Sequence, residues 1–348
     1  MNVKEIERDE ELGVTKKDVS ISSSFSFETP SRSIRRIGSK TYKEMAVNEI
    51  VKRIDEKTPL SLESDSHRFV SDIKSKFMPN SLNLTIFDLA VDRIPTTNHV
   101  KLLSHCLYAA SEKTFVLPTI KTGMLMDQKK LSERKFKQYF DMMQFIMDET
   151  ESIGNSKTFI GTVPLIASKF SKPLIDLYHR KGVGAFAIDA NFKDVFGNEA
   201  DFRFILSEIN SSSPLDRTFI CAFNCGFPRF DKSASRADDF LSLFAYVDVL
   251  GGTFKRRQFP FAKRTPKMKI FSRSKYSYDL CSPEDARRRV SGEPSYSAIR
   301  DYNQVEQLKE SSLVRTLVGR EKILPYVQTK SGVDELSIRR LQKIAKSV

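Results

Sequence analysis

A short apolar segment, a loop and an amphipathic helix recur along most of this chain, and that rhythm limits the folds open to it. The spacing predicts strands at 59–63, 84–91, 114–120, 158–166, 185–190, 217–223 and 247–251. Helical patterns separate them at 98–111, 131–150, 168–181, 201–209 and 236–246. Continuous apolar strands alternating with helices indicate a parallel sheet covered on both faces. With an eighth strand at 268–271, the expected class is α/β, a (β/α)8 TIM-type barrel over residues 46–275. An open doubly wound sheet is the alternative, although no glycine-rich dinucleotide fingerprint supports it.

The flanks read differently. Residues 1–45 are polar, with a nearly all-serine run at 20–24 and Arg32, Arg35, Arg36 and Lys40 close behind. Such a stretch reads as a mobile basic arm with at most a short strand at 24–27. Met45, Ile50, Val51 and Ile54 then follow a helical spacing. Residues 276–348 read as a helical extension packed on the barrel. Ser282-Pro283-Glu284-Asp285 starts a helix there: a capping Ser, Pro at the first position, then carboxylates at the positive end of the dipole.

Charge narrows the partners. The chain carries 57 basic and 44 acidic residues, a formal net charge of +13, which favours a polyanion through counterion release. Lys255, Arg256, Arg257, Lys263 and Arg264 crowd one linker with Phe259 and Phe261 between them. Cations interleaved with aromatics suit phosphate neutralisation plus base stacking, so tRNA or DNA is the expected partner. A solvated hairpin with its aromatics turned to the core is the competing reading. Four cysteines and no apolar run of about 18 residues predict a soluble, cytoplasmic protein without disulfides or a membrane. Homo- and heterodimers are both open.

In a barrel, functional side chains project from the C-terminal ends of strands. That rule selects Asp65, Asp88, Asp92, Lys121, Asp189, Asn224 with Cys225, and the pair Gly251-Gly252. Carboxylates at a barrel mouth can serve as nucleophile, acid or base, or accept hydrogen bonds from a purine edge. Each could equally cap the helix that follows it. Lys121 could form a Schiff base in an unrelated barrel enzyme such as an aldolase.

Several segments, in order, carry a resemblance. Ser64-Asp65-Ser66, Val91-Asp92-Arg93-Ile94-Pro95-Thr96-Thr97 and Val247-Asp248-Val249-Leu250-Gly251 come first. Leu280-Cys281-Ser282-Pro283-Glu284 and Ala298-Ile299-Arg300-Asp301-Tyr302-Asn303 follow. Together they resemble the tRNA-guanine transglycosylase family, most clearly over residues 246–315. The resemblance implies base exchange: an aspartate attacks the ribose C1′ of a guanosine extruded into the barrel mouth, guanine leaves, and a 7-deazaguanine enters. It places the family nucleophile on Gly251, which has no carboxylate, so Asp65, Asp92 and Asp189 are the catalytic candidates. Asp88, Lys121, Gly251 and Gly252 are the candidates for holding the base. Tyr276-x-Tyr278-x-x-Cys281, with Tyr302 before Asn303, has the spacing of the family's zinc ligands but offers one thiol and three phenols. An aromatic plug in place of zinc is expected, with no metal and no cofactor. Two functions therefore compete: an enzyme with relocated carboxylates, and a catalytically inactive nucleic-acid-binding or accessory subunit.

Overall fold

The computed structural model describes residues 1–35, 45–91, 95–120, 122–127, 130–154, 156–193, 197–226, 234–254, 268–290, 295–320 and 322–348. In chain order the strands are β1 (Asn2–Asp9), β2 (Val14–Ser22), β3 (Phe25–Glu28), β4 (Ser31–Arg32), β5 (Val47–Ile54), β6 (Leu82–Leu89), β7 (Thr114–Val116) and β8 (Thr119–Ile120). They continue with β9 (Met126–Asp127), β10 (Lys130–Leu131), β11 (Thr158–Pro164), β12 (Ala185–Asp189), β13 (Phe219–Phe223), β14 (Ala234–Arg236), β15 (Val249–Leu250), β16 (Met268–Ser272) and β17 (Ser277–Cys281). The helices are α1 (Thr58–Lys74), α2 (Thr97–Ala109), α3 (Glu133–Ile153), α4 (Ser168–Arg180) and α5 (Glu199–Ser212). Later in the chain come α6 (Asp238–Leu241), α7 (Pro283–Arg289), α8 (Tyr296–Leu317), α9 (Ile323–Gln328) and α10 (Glu335–Ala345).

These elements make an α/β protein built on parallel strands. Strands β4, β15, β13, β12, β11 and β7 pair in that order, every pair parallel. Strands β5, β6 and β8 form a second parallel sheet. An isolated parallel bridge between Ile34 and Asn48 joins the first sheet to the second. Alternation along the strands sorts side chains to two sides. Phe87, Phe115, Val163, Ile188 and Ile220 pack in one core with helical residues such as Leu103, Met143 and Leu174. Val47, Leu84, Ile86, Val116, Ile160, Ala187, Cys221 and Val249, from both sheets, form a separate cluster.

Four sequence expectations are corrected. The mobile arm over 1–45 is folded through residue 35: β1, β2 and β3 form an antiparallel sheet, and Val3, Val19 and Phe27 join the strand cluster just described. The polar composition misled because burial alternates along β2 from Lys16 to Val19 and one of its buried residues is a lysine, Lys17, paired with Asp248. The helical spacing of Met45 to Ile54 belongs to β5, whose eight residues all pair with β6. The strand expected at 59–63 is the start of α1, where Pro59 sits at the helix N-terminus. Finally, the segment expected as the eighth parallel strand, 268–271, lies in β16, which pairs antiparallel with β17 beside β14.

Candidate functional site

One strand face changes character toward its C-terminal end. Two residues beyond Val47, Ile86, Ala187 and Val249 stand Glu49, Asp88, Asp189 and Gly251, so strand alternation puts them on the face of the apolar cluster. The three carboxylates are 3%, 6% and 1% exposed. Buried carboxylates need hydrogen-bond donors, and each has them. Asp189 Oδ1 accepts from Asn224 Nδ2 at 3.0 Å and from the Asn191 amide at 3.1 Å. Asp88 Oδ1 accepts from Thr119 Oγ1 at 3.4 Å. Glu49 Oε2 accepts from the Gly252 amide at 2.6 Å and from Ser33 Oγ at 2.9 Å.

The loops behind β12, β13 and β15 are tied together. The Asn224 amide donates to the Gly252 carbonyl at 3.0 Å, and Asn224 Oδ1 accepts from the Phe254 amide at 3.0 Å. Asn191, Phe192 and Asn224 have φ of 47°, 64° and 54°, in the left-handed region that side chains disfavour. Strained backbone gathered at strand ends marks a place where geometry outweighs local comfort. From α8 comes Gln304, only 4% exposed, whose Oε1 has no hydrogen-bond partner among the described residues. Its Nε2 lies 3.5 Å from the point where a Cβ on Gly252 would sit. Arg35, half-buried beyond β4, loses affinity for its proton through burial and repulsion from Arg300, while the charge of Glu49 works the other way.

Close approach requires a glycine at 251 and crowds position 252. A Cβ on Gly251 would come within 2.8 Å of Phe223 Cβ, 3.1 Å of the Ala222 carbonyl and 3.3 Å of Glu49 Oε2. A Cβ on Gly252 would lie 3.0 Å from Glu49 Oε1. Position 251 thus has no room for a side chain, and a carboxylate from β5 lies over it.

The structure gathers Asp189, Gly251 and Gly252 through this hydrogen-bonded chain and puts Asp88 on the same strand face. Asp65 is elsewhere: it is exposed on α1, at a non-helical φ of −153° and ψ of 73°, where its Oδ1 accepts from the Arg68 amide at 2.9 Å. It caps the second half of that helix, so its expected place at a strand end is corrected. Asp92, Lys121, Lys255, Arg256, Arg257, Lys263 and Arg264 lie outside the described residues. Sequence reasoning missed Glu49, Ser33 and Gln304. An acid between Asn48 and Ile50 was visible, but only a strand reading of 47–54 would have turned it to the face of Val47.

The residues at the zinc-ligand spacing do not fit a zinc ion. Tyr276 is fully buried and its hydroxyl donates to Glu310 Oε1 at 2.8 Å. The Tyr278 hydroxyl donates to Asp239 and accepts from Gln307 Nε2 at 2.8 Å. Cys281 and Tyr302 pack in a different cluster, with Met268, Ile270 and Ile299. Burial pushes the Cys281 thiol up, away from the thiolate a metal needs. Burial likewise raises the Cys225 thiol to about 12, so neither it nor Cys221, raised further, is a nucleophile near neutral pH.

Neither a family model nor a curated protein matches this chain. Among solved structures it is similar to a glucosidase from Croceicoccus marinus, at 12% identity and a TM-score of 0.39 over 60% of this chain and 53% of that one. It is also similar to the putative copper homeostasis protein CutC from Streptococcus agalactiae, at 9% identity and a TM-score of 0.28 over 60% of this chain and 99% of that one. The chain spans about half the length of the glucosidase. Likeness at this level carries no argument about chemistry.

Proposed function

We propose that the two parallel sheets are one closed ring of eight strands, a TIM-type barrel, and that its C-terminal rim is a base-exchange site of the tRNA-guanine transglycosylase kind. In the ring, β7 and β8 are two halves of one strand. Support comes from pairing on both sides of that broken strand, β6 with β8 and β11 with β7, and from the Ile34–Asn48 bridge on the far side. The observation that carries the function is the set of buried carboxylates, Glu49, Asp88 and Asp189, on one strand face beside the open acceptor of Gln304. Guanine and 7-deazaguanines present an N1–H and a 2-amino group on one edge. Those donors suit carboxylate and amide oxygens held in a site that excludes water. The net charge of +13 favours the phosphates of tRNA or DNA around it. Incorporation of labelled guanine into tRNA or DNA by the purified protein tests the reading. Asp88→Asn and Asp189→Asn should each abolish it with the fold intact.

A second reading, a catalytically inactive nucleic-acid-binding or accessory subunit of the same fold, is favoured by the exclusion of any side chain at Gly251 and by the capping role of Asp65. Such a protein would bind tRNA or DNA with a steep salt dependence and exchange no base. Binding would then fall when Lys255, Arg256 and Arg257 become Ala. No helix among the described residues is long and apolar enough to cross a membrane.

A further inference from the structure

We infer that Glu49 is the nucleophile of the exchange, delivered from β5 into the space that a side chain at position 251 would occupy. The inference rests on the base-exchange reading and supplies the acid which that reading lacks. Glu49 Oε2 lies 3.3 Å from where the Cβ of residue 251 would be, and Oε1 lies 3.0 Å from where the Cβ of residue 252 would be. The Glu49 carboxylate thus lies within van der Waals reach of the point where a side chain at either position would begin. Position 251 is closed to a side chain of its own by Phe223 and the Ala222 carbonyl, and the longer side chain of Glu49, reaching from β5 on the far side of β4, brings a carboxylate beside it instead.

The carboxylate is also prepared for attack. Oε2 is fixed by two donors, the Gly252 amide and Ser33 Oγ, and the Ser33 hydroxyl is itself anchored beside the Leu250 carbonyl at 3.2 Å. Oε1 makes no hydrogen bond among the described residues and is the oxygen left to react. A held oxygen and a free one on one carboxylate fix its orientation without consuming its nucleophilicity. The other two acids are placed differently. Asp189 Oδ1 already receives Asn224 Nδ2 and the Asn191 amide, which suits a positioning role or recognition of the base. Asp88 stands one strand farther from Gly251, since its strand β6 pairs with β5.

In the first step Glu49 Oε1 bonds to the ribose C1′ while the C1′–N9 bond breaks. The electron pair of that bond stays on N9, which takes a proton from water, and guanine leaves neutral. In the second step the incoming base gives its ring N–H proton to water and its nitrogen bonds to C1′. The C1′–Oε1 bond breaks and Glu49 is again a carboxylate. No oxidant, reductant or metal is consumed.

The test mixes the full-length protein with labelled guanine and either total tRNA or duplex DNA, quenches in acid denaturant, and maps the protein by peptide mass spectrometry. Exchange with a nucleic-acid ester on the peptide containing Glu49 is the expected result. Glu49→Gln should lower exchange about ten-thousand-fold, and Glu49→Asp should retain a measurable part of it. Exchange by the wild type with the ester on another residue, with no ester on Glu49, or with Glu49→Gln still active overturns the inference and leaves the base-exchange reading standing. Absence of exchange by the wild type overturns both. Should Glu49→Gln fail to fold, the ester map of the wild type decides alone.

Discussion

Lys17 and Asp248, both wholly buried, meet at 3.0 Å across 231 positions of sequence, joining the N-terminal antiparallel sheet to the turn before β15. Lys17 Nζ also donates to the Thr218 carbonyl at 2.8 Å, and Asp248 Oδ2 accepts from the Ile220 amide at 2.8 Å. Burial raises the Asp248 carboxyl while Lys17 pulls it back down. Removing one partner leaves the other charge stranded. Lys17→Met should therefore cost about 3–5 kcal/mol, read from the urea midpoint, and Lys17→Met with Asp248→Leu should recover most of that loss.

Position 251 gives a prediction of opposite intent. Gly251→Asp restores the residue the transglycosylase resemblance expects, yet its Cβ would press on Phe223 Cβ and the Ala222 carbonyl. It should destabilise the fold by about 1–3 kcal/mol, as overpacking does, and it should not raise base exchange. Thermal denaturation beside the labelled-guanine assay checks both halves.

Asp65 should behave as a helix cap. Asp65→Ala should lower stability by about 1 kcal/mol, and Asp65→Asn, which keeps an acceptor for the Arg68 amide, should be nearly neutral. Neither should change exchange. A loss of exchange in Asp65→Asn with unchanged stability would return this residue to the site.

Glu310 sets an acid limit. Burial pushes its carboxyl up, but hydrogen bonds from Tyr326, Arg273 and Tyr276 and the charge of Lys330 outweigh that and hold it below its ordinary value of 4.5. The unfolded chain therefore binds the proton more readily than the folded one. The stabilisation is fully present above about pH 4.5 and is lost as pH falls through the lower folded value. Urea midpoints between about pH 6 and 3 should fall for the wild type and fall less steeply for Glu310→Gln.

Most of the βα rhythm from β6 to β15 was legible because those strands are apolar on both faces and their helices have one wet side. The segments expected as strands at 114–120 and 185–190 need no tertiary knowledge to read so, and they hold β7 with β8 and β12. Residues 1–74 were not legible, for a different reason in each segment. The strand β5 carries Asn48, Glu49 and Lys52 among its apolar residues, so its period resembles a helix until its partners are known. The strand β4 is two residues, Ser31 and Arg32, that no propensity singles out; its place comes from pairing with Val249 and Leu250. The site follows the same division. Asp88, Asp189 and the two glycines end strands that could be read, and were found; Glu49 and Ser33 sit in or beside strands that could not.

The pairing of β4 with β15 brings Arg32 and Leu250 together across 218 residues. At a synthesis rate of about 5–20 residues per second, roughly ten to forty seconds separate the emergence of those two segments from the ribosome. For that interval an edge of the nascent sheet stands open, and Glu49 has no Gly252 amide to hold it. Refolding of the finished chain meets the same constraint as a slow, topology-limited step, because so distant a contact must close before the rim exists.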